Sequence, residues 1–515
     1  MKLATLDIIV LCVYFGIILL LGFYFSRKNT STEEYFVGGR SFPGWAIGLS
    51  LVGTSISSIT FLAYPGDAYK TAWLRFLPNL MLPVAILIAA YYFLPVFRRK
   101  KTTSAYEFLE DRFGPSVRVY GAIAFIIAQM VRLSTILYLL SLLVHELTGL
   151  DAEWCIVISG VFVSVYTVVG GIDAVIWTDV LQTIVLVLGG VMCLYVILDM
   201  LPNGITDVLT IAEEHGKLAF SELRDGSLHP VSWDLSLLNK TGTMMLILGV
   251  TSWLTEYSSN QNTVQRYCAA KSEAEARKGM FICAMSSLPI WAFYMFLGTA
   301  LYAFYQVYPS PEATMMLDGT KKAEQILPFF VLSELPAGIV GLVLAAALAA
   351  AMSSLDSSIN AISTVSIVDI YRRHLHPEQT DKHYLHVAWL IAAIVSGIMI
   401  AGAIYINQAE TKTLQDTATI LASLLGGGLL GLYLIGFFSK KGDARSAWMG
   451  ISVTMVFTCW SILDKKGMLS ESLSLPFETY YATLIANFLM FVVVYLAASF
   501  LFGKQDSDSE GKVVS

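Results

Sequence analysis

Apolar runs recur along the whole chain and are separated by short polar segments. Each run of about 20 residues is long enough to cross the ~30 Å hydrocarbon core of a bilayer as a helix. The pattern therefore predicts about thirteen transmembrane helices in a single membrane domain. These helices are predicted at residues 5–26, 43–65, 75–97, 116–147, 152–172, 173–200, 241–268, 275–307, 325–371, 384–406, 412–438, 444–463 and 474–503.

Two polar segments interrupt the apolar pattern at corresponding positions. Residues 53–60 (Gly-Thr-Ser-Ile-Ser-Ser-Ile-Thr) lie in the second helix, and residues 255–262 (Thr-Glu-Tyr-Ser-Ser-Asn-Gln-Asn) lie five helices later. Unsatisfied polar groups are costly in hydrocarbon, so both segments should line an interior. Interrupted helices placed in this way indicate an inverted-repeat transporter with its binding site at the bilayer midplane. For the first segment, a helix interface of small residues is the alternative.

A third polar segment, residues 350–358, lies in the predicted ninth helix. Ser353 and Ser357 share one helix face, as do Ser354 and Ser358, and Asp356 lies among them. Hydroxyl oxygens beside a carboxylate are the hard ligands that a small alkali cation prefers. Alternatively, each serine donates a hydrogen bond to a carbonyl of its own helix.

Composition and charge narrow the class of protein. Of the 515 residues, 56% are hydrophobic and 14% are charged, well below the charged share of about 25% in soluble proteins. These values exclude a soluble enzyme, a disordered protein and a nucleic-acid partner. No catalytic motif is present, so no enzyme activity is expected. A channel would need filter rings, and a sensor would need a sizeable soluble domain, and neither is found.

The distribution of Lys and Arg predicts the orientation. The loops on the side of the C-terminus carry most of these residues, and such loops face the cytoplasm. The chain is therefore expected in the plasma (inner) membrane, with its N-terminus outside, its C-terminus in the cytoplasm and the polar loop at 201–240 outside. The acidic tail at 504–515 is expected to be disordered.

Ionisable residues inside predicted helices are functional candidates. Arg132 lies at the centre of the fourth helix, and its planar fork suits bidentate binding of a substrate carboxylate. A structural pair with Asp or Glu is the alternative for Arg132. Asp179 is a candidate cation ligand or a buried hydrogen-bond organiser, and Glu256 lies where it could cap a helix break.

Four motifs together resemble the sodium:solute symporter family. They are residues 53–66, residues 177–182 (Trp-Thr-Asp-Val-Leu-Gln), residues 260–266 (Asn-Gln-Asn-Thr-Val-Gln-Arg) with Ala270-Lys271, and residues 353–358 running on to Asp369-Ile370-Tyr371. The resemblance extends from about residue 6 to residue 445. It implies an all-α, five-plus-five inverted-repeat (LeuT-like) core. The repeats would be 43–200 and 241–438, with an extra N-terminal helix at 5–26 and two extra C-terminal helices at 444–503.

The resemblance also implies two sodium sites and a substrate site. Sialic acid symporters resemble the chain most closely within the family, in residues 57–61, in Ala68-Tyr69 and in Arg132. The first sodium site would use the carbonyls of Gly53, Ile56 and Ala350 and the hydroxyls of Ser353 and Ser354. The second would use Asp179, Ser353, Asp356 and Ser357, although a hydroxyl residue is usual where Asp356 stands. The substrate would contact Ser55, Ser57, Thr60, Asn79 and Arg132.

The expected function is therefore sodium-coupled import of an organic solute by alternating access. An acidic sugar such as sialic acid is the expected substrate, and a neutral sugar, a polyol or a small monocarboxylate is the alternative. The expected partners are this solute, two sodium ions and the lipid bilayer, with no obligate protein partner evident.

Overall fold

The computed structural model describes residues 3–27, 30–224, 226–408, 427–465 and 467–501. Helices form most of this part of the chain, in agreement with the predicted helical membrane class. The α-helices are α1 (Thr5–Ser26), α2 (Thr32–Val37), α3 (Gly44–Ser55), α4 (Ser58–Lys70), α5 (Leu82–Ile88), α6 (Leu94–Arg99), α7 (Glu107–Phe113), α8 (Pro115–Thr148), α9 (Ala152–Met200), α10 (Ile205–Glu214), α11 (Gly242–Ser259), α12 (Gln261–Ala269), α13 (Glu273–Val307), α14 (Pro311–Asp318), α15 (Ile326–Glu334), α16 (Ile339–Val365), α17 (Asp381–Gln408), α18 (Leu429–Phe438), α19 (Ala444–Lys465) and α20 (Ala482–Leu496).

Tighter and wider helical turns connect several of these helices. The 3₁₀ segments are Gly38–Arg40, Trp73–Met81, Ala323–Gln325, Glu471–Leu473 and Thr479–Tyr481, and the π segments are Ala89–Phe93, Ser366–Leu375 and Ala497–Leu501. Among the described residues, nine helices are long and apolar enough to cross a membrane. A tenth span results if Gly44–Ser55 and Thr60–Lys70, which are bent by 54° to each other, are counted together.

The loop predicted at 201–240 is not free of regular structure. It contains α10 and a two-stranded antiparallel hairpin of β1 (Ser221–Arg224) and β2 (Ser227–Pro230). Gly226 has a φ of 78° in the turn, a conformation that favours glycine. The all-α prediction is therefore wrong for this short segment, because the tight turn lets the two polar strands pair outside the helical core.

Both predicted interruptions of helices are confirmed. The first lies between α3 and α4, where Ile56 has an extended backbone with φ −103° and ψ 97°. The second lies between α11 and α12 at Asn260, with φ −86° and ψ 113°. A third predicted boundary, at residues 172–173, is found at Gly171 within α9, where φ is 60° and ψ is −160°.

The single helix predicted at 325–371 is wrong. The segment forms α15 and α16, and the residues 335–338 that separate them include Pro336 and Gly338. Proline cannot donate a helical hydrogen bond, and Gly338 has a φ of 91°. The Asp7 carboxylate of α1 accepts hydrogen bonds from the amides of Gly338 at 2.6 Å and Gly341 at 2.7 Å, which caps the start of α16.

Three predictions fall partly or wholly outside the described residues. The helix predicted at 412–438 is described only over Leu429–Phe438, and the tail at 504–515 lies wholly outside. The last predicted helix, 474–503, begins later than expected, at Ala482.

The helix α16 lies at the centre of the molecule. In its most apolar stretch 89% of the residues are buried, and it packs against α9, α8 and α1. The broken pair α3 and α4 packs against α13 and also contacts α16. This arrangement brings the break after Ser55 next to the serine segment of α16.

Candidate functional site

A small cavity lies where α3 ends beside α16. The volume of this cavity is about 10 Å³, which is about enough for one water molecule or one small ion. Four of the five residues predicted for the first sodium site line it, together with residues of α9. The lining residues are Gly53, Ile56, Gln182, Thr183, Leu186, Ala349, Ala350 and Ser353.

Two of the predicted sodium ligands contact each other beside this cavity. The Ser353 hydroxyl donates a hydrogen bond to the Gly53 carbonyl at 2.6 Å, so these two predicted ligands are already in contact. A Cβ at Gly53 would lie 2.9 Å from Oγ1 of Thr183, so a larger residue here would displace the Thr183 hydroxyl from its place between α3 and α9. The hydroxyl of Ser354, the fifth predicted residue, is buried and has no hydrogen-bond partner among the described residues.

The residues predicted for the second sodium site also lie close together, but a guanidinium lies among them. Arg266 of α12 donates from Nη2 to Oδ2 of Asp179 at 2.8 Å and to the Ser357 hydroxyl. Its Nε donates to Ser50 at 2.8 Å, and its Nη1 donates to the Asn262 carbonyl at 2.7 Å. Both charged side chains are buried. The other carboxylate oxygen of Asp179, Oδ1, has no hydrogen-bond partner among the described residues.

Asp356 faces a different set of hydroxyls. Its Oδ2 accepts hydrogen bonds from Tyr166 at 3.0 Å and Thr178 at 3.4 Å, and its Oδ1 accepts one from Ser357 at 3.3 Å. The residue is fully buried. Through Ser357, Asp356 therefore belongs to the same polar network as Asp179 and Arg266.

Sequence reasoning missed the role of Arg266. A signal was present, because this arginine follows the polar break of the seventh predicted span by a few residues and no loop separates them. An arginine so close to an intramembrane break needs a buried acceptor. The identity of that acceptor depends on the packing of α12 against α3 and α16.

The predicted substrate residues fall into two groups. Thr60 and Asn79 are buried, and the Asn79 amide donates to the hydroxyl of Tyr64 at 2.7 Å, one helical turn after Thr60 on α4. Ser57 is buried and Ser55 is half-buried at the adjoining break. Ser55, Ser57 and Thr60 therefore lie at the break or directly after it, and Asn79 of the segment Trp73–Met81 joins α4 through Tyr64.

Arg132 forms the second group. It is half-buried on α8, and within the described residues it has no ion pair or hydrogen bond. The alternative of a structural pair with Asp or Glu is therefore not observed. The N–H groups of its guanidinium therefore donate to no side chain among the described residues.

Glu256 holds the second helix break. Its Oε1 accepts a hydrogen bond from Thr263 at 2.6 Å, and its Oε2 accepts one from Asn260 at 2.7 Å. The Glu256 carboxylate on α11 thus connects to the break and to α12 through hydrogen bonds from side chains. Capping of backbone amides was the possibility that the sequence raised for this residue.

Asp369 lies in the π segment that follows α16 and takes part in a network of ion pairs. Asp369 accepts hydrogen bonds from Nε of Arg118 at 2.7 Å and from Ser104 at 2.5 Å. Arg118 also pairs with Glu110 at 2.6 Å, and Glu110 pairs with Arg373 at 2.6 Å. Hydrogen bonding from Arg373 lowers the pKa of the Glu110 carboxyl. The network ties the end of α16 to α7 and α8.

Comparisons with known proteins support the family resemblance found in the sequence. The model of the sodium:solute symporter family matches residues 35–453. The chain is 34% identical over 445 residues to the sodium/sialic acid symporter SiaT of Proteus mirabilis, covering 86% of each chain. It is 30% identical over 505 residues to the sodium/sialic acid symporter NanT of Aliivibrio fischeri, covering 98% of this chain and 95% of the relative.

A solved structure gives the same result for the fold. The chain matches a Na⁺-coupled sialic acid symporter, solved in a substrate-bound outward-open state, with a TM-score of 0.86 and 29% identity. The match covers 96% of this chain and 98% of that chain.

Proposed function

The chain belongs to the sodium:solute symporter family, and from that premise we propose that it imports sialic acid together with sodium ions. Membership makes the chain a transporter in a membrane and agrees with the prediction that it is not an enzyme. The substrate proposal rests on the two sialic acid symporters that the chain resembles over most of its length. The free guanidinium of Arg132 supports an acidic solute.

The single observation that carries the proposal is the cavity between α3, α9 and α16. Gly53, Ile56, Ala350 and Ser353 line it, and the unpartnered hydroxyl of Ser354 lies on the same helix. Backbone carbonyls and hydroxyls are the oxygen ligands that hard cations prefer. A sodium ion bound by these five residues would satisfy the Ser354 hydroxyl and the carbonyls exposed at the helix break.

We propose a second sodium ion near Asp179. The Oδ1 atom of Asp179, which has no hydrogen-bond partner among the described residues, supports this position. The Arg266 guanidinium pairs with the other carboxylate oxygen of Asp179, so Oδ1 is the oxygen that a cation would contact. Ser353 and Ser357 would supply hydroxyl oxygens between the two carboxylates.

For the substrate, Arg132 would bind the carboxylate through its planar fork. Ser55, Ser57, Thr60 and Asn79 would bind neutral polar groups from the opposite side. Their hydroxyl and amide groups can both donate and accept, as a polyhydroxylated sugar requires.

Coupling follows from the shared helix break. The first sodium ion would join the carbonyls at the end of α3 to the hydroxyls of α16. Substrate would contact Thr60 on α4, directly after that break. Ion binding would therefore hold α4 in the position that binds substrate, and loss of the ion would release both, which is the basis of alternating access.

We also propose the finer topology. It has thirteen spans with a five-plus-five inverted repeat at 43–200 and 241–438, an extra N-terminal helix and two extra C-terminal helices. The matching breaks after Ser55 and Ser259 support the repeat. The loop distribution of Lys and Arg supports an outside N-terminus and a cytoplasmic C-terminus.

Uptake into proteoliposomes tests the function. Purified protein is reconstituted, and radiolabelled N-acetylneuraminate is added under an inward sodium gradient or an equal potassium gradient. Accumulation above equilibrium is expected with sodium only. Equal uptake under both gradients would overturn sodium coupling. Sodium-driven uptake of a neutral sugar with no uptake of sialic acid would overturn the substrate.

A further inference from the structure

The helix α1 packs closely against α16 near its start and against α9 near its end. A Cβ at Gly341 of α16 would lie 2.7 Å from Cα of Asp7, and a Cβ at Gly22 would lie 2.6 Å from Cβ of Tyr166 on α9. A larger residue at either glycine would push the helices apart. This packing fixes the position of α1 relative to the two helices that carry the residues of the second proposed sodium site.

Tyr14 lies between these two points of α1 and faces the interior. Its side chain is buried. Its hydroxyl lies 4.0 Å from the sulfur of Met352 on α16 and interacts with the Gln182 amide of α9. An apolar side chain would fill the same space without the cost of burying a hydroxyl, so the hydroxyl indicates a polar role at this position.

The Gln182 amide connects Tyr14 to the second proposed sodium site. Tyr166 also interacts with this amide, and its hydroxyl donates a hydrogen bond to Oδ2 of Asp356 at 3.0 Å. All four side chains are buried. A row of polar groups therefore leads from Tyr14 on α1, through α9, to the carboxylate of Asp356 on α16.

Tyr166 is the main donor to the Asp356 carboxylate among the described residues. The hydroxyls of Thr178 and Ser357 lie farther from that carboxylate, at 3.4 Å and 3.3 Å, and each also donates to a carbonyl of its own helix. A hydroxyl has only one proton to donate. The position of the Tyr166 hydroxyl therefore determines how the carboxylate is held.

We propose that Tyr14 is a positioning residue for the second sodium ion. Its hydroxyl acts through the Gln182 amide and keeps Tyr166 in the orientation that donates to Asp356. Asp356 then presents its carboxylate to the ion beside Asp179. The inference rests on the proposed function and extends it to α1, the helix outside the proposed five-plus-five core. Groups that orient the ligands of a metal ion change its affinity without touching the ion.

Sodium titrations of the purified full chain without substrate test the proposal. The readout is the melting temperature as a function of sodium chloride, with choline chloride holding ionic strength constant. Tyr14→Phe keeps the ring and removes only the hydroxyl. It should raise the half-saturating sodium concentration about threefold to tenfold, because Tyr166 loses its support. Its melting temperature in sodium-free buffer should stay close to that of the wild type, since a thioether sulfur is a weak acceptor.

Tyr35→Phe is the matched control, because it removes a tyrosine hydroxyl that supports α9 at another point. The buried Tyr35 of α2 donates to the Val168 carbonyl of α9 at 2.9 Å. Loss of this hydrogen bond should lower the melting temperature in sodium-free buffer and leave the half-saturating sodium concentration unchanged. If Tyr14→Phe behaves like this control, its role is purely structural and the inference is overturned.

A double variant shows whether Tyr14 acts through Tyr166. Tyr166→Phe removes the donor to Asp356 and should raise the half-saturating sodium concentration at least as much as Tyr14→Phe does. Adding Tyr14→Phe to Tyr166→Phe should cause no further change. A further shift of full size would overturn the inference. So would an equal shift in Met352→Leu, because the contact with the sulfur would then explain the effect.

The outcomes separate this inference from the proposed function. If wild-type uptake shows a Hill coefficient for sodium above one and Tyr14→Phe binds sodium like the wild type, the inference is overturned and the second sodium site stands. If the wild type binds a single sodium ion, the second site fails and the inference fails with it. If sodium does not stabilise the wild type at all, the proposed function itself fails.

Discussion

At the residue scale, the hydroxyl of Ser354 is buried and has no hydrogen-bond partner among the described residues, and it lies on a helix that lines the cavity beside Gly53. Ser354→Ala should raise the half-saturating sodium concentration for transport by about five- to hundred-fold, because a lost ligand contact costs about 1–3 kcal/mol. Sodium-dependent uptake measures the effect. The control is Ser363→Ala on the same helix, whose hydroxyl donates to the Ala388 carbonyl at 2.9 Å. Equal sodium dependence in the two variants would remove Ser354 from the site.

Arg132 has no ion pair or hydrogen bond with any described residue, so its charge is available to a substrate. After desolvation, a carboxylate–guanidinium pair in a partly wet site contributes roughly 2–3 kcal/mol. Arg132→Lys keeps the charge and loses the fork, so it should weaken binding of an acidic substrate about tenfold. Isothermal titration in sodium buffer measures this change, and sodium-dependent stabilisation of the empty protein should persist.

The substrate itself offers a check on Arg132 that does not depend on folding. The wild type should bind the methyl ester or amide of the acid more weakly than the acid. Equal affinity for the acid and its neutral analogue would show that Arg132 is not a carboxylate clamp.

Lys217 connects the loop at 201–240 to the end of α4. Its ammonium is buried, donates to the carbonyls of Tyr69 at 2.7 Å and Thr71 at 3.0 Å, and lies 4.0 Å from the ring centre of Tyr302. Burial lowers the pKa of Lys217 to about 7. The unfolded chain keeps the proton up to about pH 10.4, so it binds more protons than the folded chain between these values, and stability rises with pH across this window.

Above pH 7, Lys217 is expected to raise the free energy of unfolding by at most about 1.4 kcal/mol per pH unit. Below pH 7, Lys217 should not change the pH dependence of the free energy of unfolding. Lys217→Met should remove this contribution from the increase in melting temperature between pH 7 and pH 9.5. The control is Lys240→Met in the same loop, where the lysine is more exposed and lies 3.9 Å from Glu222. If the melting temperature of Lys217→Met rises with pH as steeply as that of the wild type, Lys217 is not the group responsible for the pH dependence.

At the scale of elements, α13 and α4 pack with almost no space between them. A Cβ at Gly298 would lie 2.2 Å from the carbonyl oxygen of Pro65. Gly298→Ala must therefore displace α4, which carries Thr60, and should destabilise the protein by about 1–3 kcal/mol. Substrate affinity should fall with it.

Gly397 of α17 provides the matched control for that helix contact. A Cβ there meets nothing within 4 Å, so Gly397→Ala should be neutral or slightly stabilising, since alanine favours helices over glycine by about 1 kcal/mol. Melting temperatures of the two variants in the same detergent compare them directly. Equal melting temperatures would show that α4 tolerates displacement from α13.

At the scale of the whole molecule, the proposed symport of two sodium ions with one monoanionic sugar would move one net positive charge inward in each cycle. A membrane potential of 100 mV, inside negative, is worth about 2.3 kcal/mol for that charge. It should therefore raise the maximal accumulation ratio about fifty-fold in liposomes with a potassium diffusion potential. A Hill coefficient for sodium above one should accompany this effect. Uptake that is insensitive to potential, with a coefficient of one, would count against the second ion.

The sequence alone was sufficient for the membrane class, the approximate spans and the positions of both helix breaks. These features are local, because an apolar run of about 20 residues or a cluster of hydroxyls inside one determines its own environment. Residue type and spacing also marked the polar segments at 53–60 and 350–358 as places that line an interior. The choice of Gly53, Ile56, Ala350, Ser353 and Ser354 as sodium ligands came from the resemblance to the family.

The tertiary structure alone decided which distant groups meet these residues. Arg266 reaches Asp179 and Ser357 across 87 and 91 positions of sequence. The Asp7 carboxylate caps a helix that begins more than 300 residues later. A buried polar group must find a partner, but its type does not say which one. The packing of α9, α12 and α16 makes that choice.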